Sequence, residues 1–169
     1  MMKKIERPTQ KELIALSIEK FGKPSRMVEY MFANPYLAKS YFALSDIMGS
    51  SDVLKPDEKQ VVFLTVSTFN NCAPCIRAHK AQLEDVYRYS KSEINHFFKA
   101  NKSGHQRLDV LVLITNNILE NQGYISQEVL EIGKENDFFK DALYEIVGLI
   151  TIKTITNYVN NIERQSTDD

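Results

Sequence analysis

The chain has 169 residues, 43% of them hydrophobic and 25% charged, which is the composition of one globular domain with a sizeable core. Lys and Arg number 21 against 22 Asp and Glu, for a formal charge of -1, and no basic block stands out, so the electrostatic footprint of a nucleic-acid binder is missing. The start, Met1-Met2-Lys3-Lys4-Ile5-Glu6-Arg7, leads into no apolar run, and no apolar stretch is long enough to span a bilayer, so the expectation is a soluble cytoplasmic protein with no signal peptide and no membrane partner.

Helical spacing dominates the chain from its beginning. Pro8-Thr9 opens a helix carrying Leu13, Ile14, Leu16 and Ile18, which stops at Gly22-Lys23-Pro24. Ser25 is placed to cap a short helix through Met27, Val28, Met31 and Phe32. Asn34-Pro35 restarts the chain, and Leu37, Tyr41, Leu44 and Met48 then recur at offsets of four, three and four up to Gly49. Leu54-Lys55-Pro56-Asp57-Glu58 reads as a helix start, with proline and acids in the first turn. The run from Gln60 to Phe69 is rich in β-branched residues, which favours a strand by propensity and would make a strand before C-x-x-C, as in a thioredoxin. The Pro-Asp-Glu start and the helical surroundings favour a buried helix, and a helix is the reading taken.

Asn71 is a candidate cap for the next helix, and Pro74 fits its first turn, where a missing N–H costs nothing. Ser90-Lys91-Ser92-Glu93 starts another helix, Asn101 to Gly104 is a loop, and Leu108 to Leu119 is apolar nearly all round, as a central buried helix closed by Gly123 would be. Ser126 caps a short helix, and Asp137 is placed to cap the last, with Leu143, Ile146, Val147, Ile150, Thr154, Ile155 and Tyr158 as its apolar stripe. The prediction is an all-α fold of eight or nine helices.

Both cysteines of the chain and one of its three histidines lie in a single stretch, Asn70-Asn71-Cys72-Ala73-Pro74-Cys75-Ile76-Arg77-Ala78-His79. Offsets of three and four share one helical face, so Cys72, Cys75 and His79 form a line of two sulfurs and an imidazole. A helix N-terminus favours a thiolate at Cys75, and His79, one turn on, can take the thiol proton or face the thiolate as imidazolium. Cys72 is placed to close a disulfide after Cys75 is oxidised to a sulfenic acid, and a dithiol reductant would then reopen it. Zinc is a competing use of the same side chains, but a structural site wants four ligands, and beyond this cluster only the distant His96 and His105 are candidates. The blandest alternative is two cysteines buried as small apolar residues.

The spacing resembles that of the AhpD-like alkylhydroperoxidases of the carboxymuconolactone decarboxylase superfamily, whose signature is E-x11-C-x-x-C-x-x-x-H. Leu54 to Phe69 resembles the helix before that motif, Gln106 to Gly123 the long helix after it, and Thr154-Ile155-Thr156-Asn157-Tyr158-Val159-Asn160 the terminal helix. The resemblance covers residues 35–165, leaving 1–34 as a helical extension and 166–169 as a tail of a single domain. It implies a homo-oligomer, trimeric or hexameric, that reduces peroxides with no tightly bound cofactor, at the expense of a dithiol donor such as a lipoyl or thioredoxin-type protein. It assigns Cys75 as the attacking and Cys72 as the resolving cysteine, and His79 as the base. Two positions depart from the pattern, the second being Pro74; at the first, the family's glutamate falls at Gln60, which can orient His79 but cannot carry a proton, while Glu58 would point elsewhere on the helix. The alternatives within the same dithiol chemistry are a disulfide reductase and a non-catalytic redox sensor or helical assembly module. Pro74 between the cysteines, where some members carry histidine, stiffens the turn.

Overall fold

The computed structural model describes residues 6–166, so the basic start at Met1 to Ile5 and the last three residues of the tail lie outside the described residues. Among the described residues there are nine α-helices, one short 3-10 turn and no strand: α1 Gln10–Phe21, α2 Arg26–Tyr30, the turn Met31–Ala33, α3 Pro35–Gly49, α4 Pro56–Phe69, α5 Ala73–Asp85, α6 Lys91–Phe98, α7 Gln106–Glu120, α8 Gln127–Glu135 and α9 Lys140–Gln165. The all-helical expectation therefore holds, and no helix among these is long and apolar enough to cross a membrane. The stretch before the cysteines is helical, so a thioredoxin-like strand is excluded.

Local chemistry sets most of the helix ends. Thr9 and Glu12 form a reciprocal capping box on α1, and Gly22 closes it in the left-handed region at φ 72. Asn34 caps α3, Ser126 caps α8, and Ser90 with Glu93 makes a second capping box on α6. Pro56 occupies the first turn of α4, where the Glu58 carboxylate accepts the Lys55 N–H at 2.8 Å. Asp137 does not cap α9. It sits two residues past α8 at φ 61, with the Phe138 N–H returning to Gly133 O at 2.9 Å, so it serves a helix C-terminus instead. Gly123 likewise is not alone at the end of α7, because Gln122 also lies in the left-handed region at φ 55.

The described chain divides into two compact units. In the first, residues 6–50 and 159–166, α1 packs on α3. Leu13, Val28, Met31, Ala38, Tyr41 and Phe42 form its core. Ser17 Oγ donates to Lys23 O and accepts the Ser25 N–H at 2.8 Å, which pins the link between α1 and α2.

In the second unit, residues 51–158, α4 is the central rod, flanked chiefly by α5 and α7. Val61, Val62, Leu64 and Val66 are fully buried, and Thr65 bonds back to Val61 O at 2.9 Å, so the β-branched run is a core helix whose packing overrides its strand propensity. Residues of α9 meet α4 along a polar row. Glu145 pairs with Lys59 at 3.1 Å, Lys153 lies over the Phe63 ring at 5.5 Å, and Asn157 donates to Ser67 Oγ at 3.3 Å. Lys59, Phe63 and Ser67 are spaced by four, so this is one ridge of α4, and both helices run in the same direction along it.

The buried face of α9 differs from the apolar stripe read in the sequence. Ala142, Glu145, Ile146, Leu149, Ile152, Thr156 and Asn157 are buried, whereas Val147 and Tyr158 are 47% and 54% exposed. The helix is turned so that Glu145 and Asn157 reach partners on α4, and a satisfied buried polar group leaves no mark in an apolar pattern. Glu145 is the most committed of them: besides Lys59, it accepts Ser51 Oγ at 2.6 Å and the Leu54 N–H at 3.3 Å. Glu145→Leu should therefore destabilise the protein by about 3–5 kcal/mol in urea unfolding, because it strands a buried ammonium, and adding Lys59→Met should recover much of the loss. Equal stability of Glu145→Leu and the parent would contradict this.

Candidate functional site

The site is made by the turn between α4 and α5. Asn70 ends α4, Asn71 follows in the left-handed region at φ 50, and Cys72 stands at the N-cap of α5. The Cys72 N–H reaches back to Ser67 O at 2.9 Å and the Asn71 N–H to Thr68 O at 3.0 Å. That is the pair of bonds of a Schellman motif, with Asn71 in the position that tolerates positive φ. Asn71 is thus the C-terminal stop of α4, and the cap position of α5 that the sequence suggested for it belongs to Cys72. Asn157 of α9 holds the turn from the other side: its Oδ1 accepts from Asn70 Nδ2 at 3.1 Å while its own Nδ2 donates to Ser67.

Cys72 precedes the helix proper, and Cys75 lies in the first turn, where backbone N–H groups lack intrahelical partners. Neither is in a disulfide; they are 0% and 6% exposed, and their sulfurs are joined at 2.6 Å by a hydrogen bond that either S–H can donate. That bond, reinforced by burial, pushes the Cys72 thiol far above its ordinary range. Of the two sulfurs, Cys75 is the one inside the first turn of α5, where unpaired N–H groups favour a thiolate.

His79 stands one turn after Cys75 on α5. Its Nδ1 lies 2.8 Å from Gln60 Oε1 on α4, and a carbonyl oxygen can only accept, so Nδ1 carries the proton. Nε2 is then the lone-pair nitrogen, buried and without a hydrogen-bond partner. The ring packs against Phe63, with centroids 5.3 Å apart. Burial, with the positive charge of Lys153 as the lesser cause, holds His79 well below its usual range, so the imidazole is neutral at neutral pH. Glu58 is not available to it. That carboxylate is 2% exposed and bonds the Lys55 N–H and, at 2.6 Å, Arg107 Nε.

The sequence reading missed Lys153, although its electrostatic field reaches Cys72, Cys75 and His79. Its signal was a lone cation inside the apolar run Ile150-Thr151-Ile152-Lys153-Thr154-Ile155. Asn157, Ser67 and Phe63 were also missed as supports of the site. His96 and His105 are not drawn to it: His96 Nδ1 bonds Ser92 O at 2.7 Å, and His105 Nε2 meets Glu93 Oε1 at 2.6 Å. Among the described residues, no three His, Cys, Asp or Glu side chains gather in an arrangement that could hold a metal ion. No family model matches the chain, and no curated protein matches it either.

The neutral state of His79 has a measurable cost in acid. An unfolded histidine titrates near 6.5, and the folded one below that, so the unfolded state binds more protons as the pH falls under about 6.5. The stability that His79 confers is complete above that pH and is lost as the pH falls toward the folded value. Urea unfolding of the parent should weaken between pH 7.5 and 5.5 by more than that of His79→Gln. Equal losses in the two proteins would show that His79 titrates normally.

Proposed function

We propose that this chain is a thiol-dependent peroxidase of the AhpD-like type, reducing hydrogen peroxide or organic hydroperoxides with Cys75 as nucleophile and Cys72 as resolving thiol. The observation that carries the reading is the contact of the two sulfurs at the start of α5, with Cys75 inside the first turn and one turn before His79. The E-x11-C-x-x-C-x-x-x-H resemblance supports the same order of roles, with glutamine at the glutamate position. Cytoplasmic location, assembly as a trimer or hexamer, and a lipoyl or thioredoxin-type dithiol donor belong to this proposal.

The chemistry balances with the groups present. His79 Nε2 takes the Cys75 proton, and the thiolate attacks the terminal oxygen of ROOH. The O–O bond breaks, sulfur is oxidised to Cys75–SOH, and RO⁻ leaves and takes the proton from His79 as ROH. Cys72 then attacks Cys75 Sγ, the S–O bond breaks, water departs with the Cys72 proton, and the disulfide forms. A donor dithiol restores both thiols by exchange and becomes a disulfide itself. Gln60 fixes the tautomer that leaves Nε2 free, but it passes no proton further, so the relay ends at His79.

Cys75→Ser should abolish peroxide consumption in a dithiol-coupled assay, to below about 1% of the parent, because the attacking sulfur is gone. Cys72→Ser should give one turnover and stop at a Cys75 sulfenic acid that dimedone traps and mass spectrometry detects. Full activity in Cys75→Ser overturns the assignment. A parent that loses no thiols to stoichiometric peroxide supports the non-catalytic alternative.

A further inference from the structure

The site has an electrostatic gap. A histidine held well below 6.5 is a poor resting home for a proton drawn from a thiol whose ordinary pKa is about 8.5. Gln60 adds no charge, and Glu58 is tied to Arg107. Something else must make the thiolate affordable.

Lys153 is placed to do so. It lies on the α9 ridge that faces α4, with Nζ 5.5 Å from the centre of the Phe63 ring, and that ring packs against His79. The other ridge lysine, Lys59, meets Glu145, whereas the Lys153 ammonium has neither a carboxylate nor a hydrogen-bond partner among the described residues. Lys153 is half-buried, and an ammonium partly withdrawn from water gains from an anion nearby. The titratable groups that Lys153 faces are Cys72, Cys75 and His79, all from the α5 side, while α4 offers Phe63 and Gln60, which do not titrate. Of the three, only the thiols can supply negative charge, and Cys75 is the one in the first turn of α5, where a thiolate is favoured.

We propose that Lys153 is the cation of this site, its ammonium serving as the standing counter-charge to the Cys75 thiolate while His79 carries the thiol proton only in transit. This rests on the dithiol reading of Cys72 and Cys75 but not on peroxide being the substrate. The electrostatics agree: burial lowers the Lys153 pKa, and Cys75 and Cys72 oppose that fall. Forming the disulfide removes the thiolate and leaves Lys153 without an anion, so Lys153 stabilises the reduced state over the oxidised one and makes the pair a stronger oxidant.

The test is thiolate absorbance at 240 nm against pH in the reduced protein, together with the equilibrium against glutathione, for the parent, Lys153→Met, Lys153→Gln and Lys153→Arg, with folding checked by far-ultraviolet circular dichroism. The two neutral variants are read in parallel so that the result does not hang on one of them folding. Loss of the charge should raise the first thiol pKa by one unit or more, which is about a tenfold fall in thiolate at neutral pH. The same tenfold loss moves the potential about 30 mV more negative, and Lys153→Arg should restore most of both. Folded neutral variants that titrate and equilibrate like the parent overturn the proposal. Neither readout needs peroxide turnover. A parent that consumes no peroxide while the shifts appear removes the peroxidase reading and leaves Lys153 in its role. A parent that consumes peroxide while Lys153 substitutions move neither quantity does the reverse.

Discussion

Three residues, Asn70, Asn71 and Cys72, separate two helices, and their backbone hydrogen bonds decide where both sulfurs go. The Schellman bonds to Ser67 and Thr68 end α4 and leave Cys72 as the first residue of the next element, outside the α5 cylinder. From there its side chain reaches Cys75, which α5 carries one turn in advance of His79. Without a left-handed residue at position 71 the chain would need a longer connection, and the sulfurs would lose their shared position. Asparagine meets that demand because its short polar side chain tolerates positive φ better than other L residues do.

The second constraint is the α4–α9 ridge. One row of α4 residues meets α9 first with an ion pair, then with an aromatic ring under a lysine, then with a hydroxyl under an amide. The two ends of the row are satisfied polar contacts that fix the register. The middle contact is the one with an unmet charge, and it is the one beside the dithiol. The placement follows from helix geometry, since α4 turns Gln60 and Phe63 to His79 while the same helix presents Lys59 and Ser67 to α9. The packing that holds the site thus also supplies its electrostatics.

Much of the fold was legible in the sequence, because helix ends are governed by local chemistry. Thr9, Asn34, Pro56, Ser90 and Ser126 each sit at a helix start, and the buried helix from Gln60 to Phe69 is present. The cysteine stretch also announced itself, since its spacing is local too. What escaped was whatever depends on a partner distant in sequence. Asn71 and Asp137 have the composition of N-caps, yet both stand in the left-handed region after a helix, which the same side chains also favour. Glu145, Lys153 and Asn157 looked like interruptions of an apolar stripe, and only the approach of α4 shows that they are its organising contacts.

The central claim is the ranking of the two thiols, and selective alkylation tests it most directly. The fully reduced protein would be treated with limiting iodoacetamide at neutral pH, quenched early, and mapped by peptide mass spectrometry. The account predicts that the label falls on Cys75, with Cys72 modified only after the pH is raised or the protein unfolded. Faster labelling of Cys72, or equal labelling of both, would contradict it.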